Sequence, residues 1–269
     1  MTDREPENRD GPGGSHDPAR PGNSPWAAAP QREVPDDSSD AYALRQRGEP
    51  LVNLAPAIVF FLVLMGTIHL VRSLVLPPGL DRLVLYWFAF IPEIASYGLF
   101  GLLHQLWAAV TYSLLHGSWP HFFMNGVWLA IFGSPLALRM GTWPFVLFWI
   151  ATAFSAAAFH FAIDPFSPSI LVGASGAISG MMGAATRLGF RVDRRRAQRA
   201  FAGRPMTFDE VMRSRAVVAF IVIWLVLNLI TGLFLPMGGT AIAWQAHIGG
   251  FVAGFFLLPL FPAPGARHF

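Results

Sequence analysis

Residues 171–189 read LVGASGAISGMMGAATRLG, an apolar stretch with a glycine at nearly every turn of the helix it predicts. Small residues at such intervals let two membrane helices approach closely. Residues 243–261, AWQAHIGGFVAGFFLLPLF, have the same character, with two glycines four residues apart. Each stretch holds a polar group that is expensive in a bilayer unless it faces another polar group, water or a ligand. These groups are Ser175 and His247, and the two stretches are predicted to bring them together.

The composition is typical of a membrane protein. Of 269 residues, 54% are hydrophobic and 13% are charged, and the mean hydropathy is +0.46, a balance that soluble domains of average composition do not reach. Six apolar stretches are long enough to cross a hydrocarbon core, which takes roughly 20 helical residues. They are 53–76, 119–138, 143–163, 171–189, 215–235 and 243–261. We therefore predict an all-α membrane protein with a bundle of six transmembrane helices.

Three regions are expected along the chain. Residues 1–49 are rich in Pro, Gly, Asp and Ser, and they are predicted to be a disordered tail because they lack the apolar surface that would offset ordering entropy. Residues 50–262 are predicted to form the six-helix membrane domain, and 263–269 a short C-terminal tail. Within the domain, the interrupted apolar residues 78–118 predict an interfacial, partly helical loop. The alternative is that a further span lies around 96–115.

The arginines predict the orientation. Arg45 and Arg47 precede the first span, Arg139 lies between the second and third, and a cluster extends from Arg187 to Arg215. The positive-inside rule makes these segments cytoplasmic, and six spans place both termini on that side. No Arg-rich, acid-poor transit peptide leads the chain, so a bacterial inner membrane is expected. Because the basic residues lie between apolar segments, no nucleic-acid partner is expected.

The polar residues of three predicted spans form a set that can do acyl-transfer chemistry. Ser175 lies near the start of the fourth span, where helix N–H groups are unpaired and negative charge is favoured, and His247 is a suitable general base for it. In the second span, His121 and Asn125 are four residues apart and share a helix face. Their side chains can donate hydrogen bonds to an oxyanion. The alternative is that these groups, with His116, only tie helices together.

A metal site is another interpretation of the histidines. The sequence does not favour it, because there is no HExxH motif and no Asp or Glu in the second, fourth or sixth span. We expect neither a metal nor a cofactor. The absence of cysteine excludes disulfides and thiol catalysis. Asp164 precedes Pro165 in a turn signal, so it is not assigned to a triad, and the prediction is a Ser-His dyad.

The chain resembles the rhomboid family of intramembrane serine proteases over about residues 50–262. Three motifs carry the resemblance: His116-x4-His121-x3-Asn125, Gly173-x-Ser175-Gly176 and Ala246-His247-x-Gly249-Gly250-x3-Gly254. The resemblance implies a six-helix core, a water-filled cavity open to the extracytoplasmic side, and cleavage of single-span membrane proteins. The residues expected to stabilise the oxyanion or substrate are His121, Asn125 and Gly173. Those expected to support the site structurally are His116, Gly176, Gly250 and Gly254.

Two features depart from the pattern of that family. Members often have a Trp-Arg pair in the first loop, and residues 78–118 contain no such dipeptide. Members also often carry an aromatic residue four positions after the serine, where it stacks on the histidine. Ser179 occupies that position here.

The predicted function is that of an intramembrane serine endopeptidase. The runner-up is a non-proteolytic membrane protein of the same fold that binds weak transmembrane helices or serves quality control, and a third possibility is a small transporter. Substrates are expected to be single-span proteins with Gly, Ala, Ser or Pro near the cut, since those residues ease unwinding. The lipid bilayer is the other expected partner, and the sequence leaves the oligomeric state open.

Overall fold

The computed structural model describes residues 54–192, 201–234 and 243–261. The predicted tails, 1–49 and 263–269, lie outside the described residues. So do the arginines that precede the first span and those in the middle of the arginine-rich loop. The interpretation of these segments stays a prediction.

The described residues are helical, which confirms the all-α prediction. Their helices are α1 (Pro56–Leu70), α2 (Pro78–Phe88), α3 (Gly98–Thr111), α4 (Trp119–Trp128), α5 (Ser134–Met140), α6 (Thr142–Ile163), α7 (Ser175–Arg187), α8 (Phe208–Arg213), α9 (Arg215–Phe234) and α10 (Trp244–Leu257). Wider π-helical turns extend α1 through Val71–Val75 and join α4 to α5 through Leu129–Gly133. Short 3-10 turns cover Pro92–Ser96, Tyr112–Leu114 and Leu258–Leu260.

The count of six spans is not confirmed. In the described part of the chain, four helical segments are long and apolar enough to cross a membrane: Pro56–Val75, Trp119–Met140, Thr142–Ile163 and Arg215–Leu233. The sixth predicted span corresponds to a shorter apolar helix, Trp244–Leu260. The fourth corresponds to α7, whose 13 residues extend only about 20 Å.

The fourth span is shorter than predicted because its first residues are held out of the helix. Leu171 forms an antiparallel bridge with Phe90, with N–H to carbonyl distances of 2.8 and 3.2 Å in the two directions. Gly173 has a φ of +117°, in a region that residues with side chains rarely adopt. Residues 171–174 therefore lie outside the helix, which begins at Ser175.

Helix α7 is the centre of the domain, and every residue from Gly176 to Thr186 is buried. Helix α6 covers one side of it, where a Cβ added to Gly180 would lie 2.5 Å from the Cγ2 atom of Thr152. Helix α10 covers another. A helix that is enclosed in this way satisfies its backbone internally and makes its main contacts with protein, so it does not need the full length of a lipid-exposed span.

Helices α7 and α10 pack with their backbones in contact. A Cβ on Gly250 would overlap the carbonyl oxygen of Gly176, and one on Gly254 would overlap that of Gly180. A Cβ on Gly183 would in turn overlap the carbonyl oxygen of Phe251. The glycines predicted from the sequence to allow close packing thus lie in this interface, where no side chain separates the two backbones, as in other small-residue helix contacts.

The region between the first two long helices is partly helical, as the sequence predicts. It contains α2, a 3-10 turn and α3. The 14 residues of α3 extend about 21 Å, which is short of the roughly 20 residues that a crossing needs. Unlike α7, this helix is not enclosed by protein, since Leu99, Phe100 and Leu103 are more than half exposed. Its length therefore favours the loop interpretation over a further span around residues 96–115.

Arg72 connects the end of the first long helix to the start of the next one. Its side chain is 8% exposed, and its Nε atom donates to the Asp81 carboxylate at 2.8 Å. Its Nη1 atom donates to the backbone carbonyl of His116 at 2.9 Å. The guanidinium therefore holds both the first-loop helix α2 and the turn that leads into α4, and so helps to position the side chains of α4.

Replacing Gly254 with alanine is expected to destabilise the domain, because the new methyl group would overlap the Gly180 carbonyl and push α10 from α7. Overpacking of this kind costs about 1–3 kcal/mol. Thermal unfolding in detergent measures the loss. Gly79→Ala is the matched control, since a Cβ there meets nothing within 4 Å. Equal unfolding temperatures for the two variants would show that the α7–α10 contact tolerates a side chain.

Candidate active site

Ser175 is the first residue of α7. The first hydrogen bond of the helix runs from the Ile178 N–H to the Ala174 carbonyl at 3.0 Å. The N–H groups of Ser175, Gly176 and Ala177 therefore precede the intrahelical ladder, as at any helix N-terminus. They point outward from the helix end, beside the serine hydroxyl, and favour negative charge there.

His247 faces this helix end from the first turns of α10. Its Nε2 atom lies 2.8 Å from the Ser175 hydroxyl oxygen, within hydrogen-bond distance. The contact follows from the backbone packing described above, because Gly250 lies one turn further along α10 and touches Gly176. The structure thus brings together the two residues that the sequence singles out as nucleophile and base.

The other ring nitrogen of His247 has a partner that the sequence analysis missed. The Nδ1 atom lies 2.7 Å from the Oδ1 atom of Asn228, on α9. The Asn228 Nδ2 atom donates to the backbone carbonyl of Trp244 at 3.2 Å. A signal for this residue exists in the sequence. Asn228 is the one amide side chain in its apolar span, and a polar residue in such a span is by default a candidate functional residue.

His121 and Asn125 lie beside the loop that precedes Ser175. A Cβ added to Gly173 would lie 2.6 Å from the His121 Cε1 atom and 3.5 Å from the Asn125 Nδ2 atom. One N–H of the Asn125 amide donates to the His121 backbone carbonyl at 3.1 Å, which leaves its second N–H for another acceptor. The two side chains therefore share a helix face, as their spacing predicts, and they adjoin the loop that precedes Ser175.

Gly173, which the resemblance groups with the residues that stabilise the oxyanion or substrate, lies in the loop that precedes Ser175. Its N–H donates to the backbone carbonyl of Tyr112 at 3.0 Å. The Tyr112 hydroxyl in turn donates to the carbonyl of Ala153 on α6, also at 3.0 Å. The contribution of Gly173 is conformational, since its positive φ and its missing side chain leave room for His121.

His116 supports the site from the turn before α4. Its ring meets that of His121 edge to face, with centroids 5.2 Å apart. The side chain is buried, and burial, with the neighbouring histidines and Arg72, lowers the pKa of His116 to about 3. The imidazole is therefore neutral at ordinary pH, which suits a position next to other rings.

The remaining polar candidates have local structural roles. His104 bonds to the Trp87 carbonyl at 3.2 Å, and Glu93 accepts a hydrogen bond from the Tyr97 hydroxyl at 3.0 Å. The backbone carbonyl of Asp164 accepts from the Ser167 N–H in a turn, and the side chain that contacts His247 Nδ1 is that of Asn228. Ser179 is buried within α7. Among the residues that the structure describes, no group of three or more acidic or histidine side chains is arranged to hold a metal ion.

Comparison with known proteins gives one family. A family model described as Rhomboid domain matches residues 103–263, which is more than half of the chain. The matched region contains all the site residues described above. A search of curated proteins found no match.

The buried neutral state of His116 predicts a pH dependence of stability. Its pKa is lower in the folded chain than the ordinary value of 6.5, so the unfolded chain binds the extra proton first and stability falls as pH drops below 6.5. The loss is about 2 kcal/mol between pH 7 and pH 5. His116→Gln is expected to remove that part of the pH dependence. Unfolding of both proteins at the two pH values measures it, and parallel losses would contradict the assignment.

Proposed function

The chain belongs to the rhomboid family, and we propose that it is an intramembrane serine endopeptidase that cleaves transmembrane segments. One observation carries the proposal: the 2.8 Å contact between the Ser175 hydroxyl and His247 Nε2. A hydroxyl paired with an imidazole base is the minimum arrangement for nucleophilic catalysis. The family and the apolar helices make the chain an integral membrane protein.

In the proposed reaction, the Ser175 oxygen attacks a substrate peptide carbonyl while His247 Nε2 takes the hydroxyl proton. The resulting imidazolium gives this proton to the leaving amine, and the C–N bond breaks to leave an acyl-enzyme. Water then attacks the ester, with His247 again as the base, and the serine leaves with the proton. No cofactor takes part.

The negative charge of the tetrahedral intermediate is expected to lie at the start of α7. The Ser175 N–H, which precedes the intrahelical ladder, is one donor. His121 and Asn125, which adjoin the loop before Ser175, are the other two. Preorganised donors of this kind are a large source of rate enhancement in acyl transfer.

We further propose that α7 and α10 are the fourth and sixth of six crossings, with both chain termini in the cytoplasm of a bacterium. The contact between Arg139 and the Phe201 carbonyl, at 3.1 Å, supports this orientation because it puts two arginine-containing segments on one side of the domain. Such segments favour the cytoplasm. The N-terminal ends of α7 and α10, with Ser175 and His247, then face the extracytoplasmic side.

Substrates are proposed to be single-span membrane proteins whose scissile region unwinds easily. A peptide carbonyl within an intact helix is already bonded and shielded, so attack requires local loss of helix. Gly, Ser or Pro near the cut lowers that cost, because these residues are poorer helix formers than Ala or Leu. Lipid-buried backbone must find new partners when it unwinds, and the polar groups around Ser175 can supply them.

The alternatives of a non-proteolytic binder and a transporter give no role to the paired hydroxyl and imidazole. Each uses buried polar groups, but neither requires a nucleophile to lie within hydrogen-bond distance of a base. The geometry of Ser175 and His247 therefore favours the protease.

Purified protein in detergent should react covalently with a fluorophosphonate probe and should cleave a single-span substrate. Ser175→Ala should abolish both activities, because no other hydroxyl is bonded to His247 in the described residues. Ser179→Ala is the matched control, a serine of the same helix one turn on, and should keep both. Labelling that is absent from the unmodified protein would favour the binder or the transporter, and labelling that persists in Ser175→Ala would show that Ser175 is not the nucleophile.

Replacing Asn125 with alanine should slow cleavage without eliminating it. Loss of one oxyanion donor typically reduces turnover by about 10²–10³-fold. Met124→Ala is the control, because Met124 is 54% exposed on the outer side of the same helix. Steady-state kcat values for the two variants give the comparison. A kcat for Asn125→Ala equal to that of the control would remove the side chain from the oxyanion site.

A further inference from the structure

We propose that Asn228 is a positioning residue that fixes the tautomer and the orientation of His247, so that the reactive group is a Ser-His-Asn triad spread over three helices. This inference rests on the proposed function of Ser175 and His247. It concerns a residue that none of the sequence motifs contains.

The hydrogen bonds around Asn228 determine which of its amide atoms faces the histidine. The Trp244 backbone carbonyl can only accept, so the amide group at 3.2 Å from it must be the NH₂ group. The Oδ1 atom then faces His247 Nδ1 at 2.7 Å. A flipped amide would put two acceptors against each other at Trp244.

The same logic fixes the proton on the imidazole. Asn228 Oδ1 accepts only, so the Nδ1 atom of His247 must carry the hydrogen. In a neutral imidazole the Nε2 atom is then an acceptor, and it points at the Ser175 hydroxyl 2.8 Å away. This is the tautomer that can take the serine proton. When Nε2 becomes protonated during the reaction, the Asn228 oxygen still accepts from Nδ1 and holds the ring in place.

The packing of α9 keeps Asn228 in this position. The helix presents one partly buried stripe to the domain. In it, the aromatic ring of Trp224 lies one turn before Asn228 and stacks on Phe251, with centroids 4.4 Å apart. One turn after Asn228, Gly232 lies against Trp244, where a Cβ would approach the Trp244 Cβ at 2.6 Å. Asn228 itself is 6% exposed. Close contacts on both sides thus hold its amide in register with α10.

This restraint has a clear reason in the sequence of α7. Ser179 lies one turn after Ser175. Its side chain has no ring and cannot stack on the imidazole of His247. Orientation of His247 must then come from another helix, and the hydrogen bond from α9 provides it. The imidazole is consequently held at both nitrogens, by Ser175 on one side and by Asn228 on the other.

Asn228→Ala tests the role through a kinetic split. Misplacement of a catalytic group costs on the order of 10²-fold in rate, so kcat and the rate of fluorophosphonate labelling of Ser175 should both fall by about that factor. KM should stay within about twofold, because Asn228 is 6% exposed and bonded to His247. Leu227→Ala is the matched control, since this neighbour on α9 is 55% exposed, and it should retain both rates.

Asn228→Asp separates positioning from simple packing. A carboxylate can also accept from Nδ1 but cannot donate to the Trp244 carbonyl, so this variant should recover part of the kcat that the alanine variant loses. Its negative charge stabilises the imidazolium, and the acidic limb of the kcat/KM profile should therefore move to higher pH. Rates are expressed per folded protein, from the unfolding curve of each variant, so that a loss of stability is not counted as a loss of catalysis.

The outcomes are distinct. Reduced kcat in Asn228→Ala at unchanged KM, with recovery and a displaced pH profile in Asn228→Asp, supports the triad. Alanine and control variants with equal rates per folded protein overturn it, as does an aspartate variant that is no faster than the alanine variant. Labelling that survives Ser175→Ala is a different result, because it shows that Ser175 is not the nucleophile on which the proposed function rests.

Discussion

Contact between the backbones of α7 and α10 is the constraint on which the site depends. Glycines on each helix face carbonyl oxygens of the other, so no side chain separates the two backbones. Only at that distance does a short side chain such as Ser175 reach the imidazole of His247. A methyl group at Gly250 or Gly254 would overlap a carbonyl oxygen of α7, so the two helices would have to separate. The faces of α7 that meet α10 are therefore formed by small residues. The large buried side chains of the core, such as Phe148 and Trp149, come from neighbouring helices.

Much of this arrangement was predictable from the sequence, because it depends on local spacing. The glycine intervals predict a close helix pair, and the pair predicts that Ser175 meets His247. The four-residue interval between His121 and Asn125 predicts their shared face, and the structure places both against Gly173. Such inferences hold because helix periodicity is fixed by the backbone and does not depend on which neighbours surround it.

Other features depend on contacts between segments that are distant in sequence. Local sequence patterns do not predict such contacts. The bridge from Phe90 to Leu171 delays the start of α7, so the fourth span was predicted too long. The Tyr112 carbonyl accepts a hydrogen bond from the Gly173 N–H. The two residues are distant in sequence, so local spacing does not predict this bond. Asn228 was missed because it has no motif around it, and its importance appears only when α9 is docked beside α10. An isolated amide within an apolar span is nevertheless a readable signal.

The hydrogen-bond chain through the site has a direction that is set at its far end. It begins at the Trp244 carbonyl, a backbone group that cannot donate, and each partner along the chain inherits its role from that fact. The amide must donate to it, the amide oxygen must accept from His247, and the remaining ring nitrogen must accept from Ser175. Trp244 is the first residue of α10. The helix that carries His247 therefore also determines, through α9, which ring nitrogen of His247 can accept a proton.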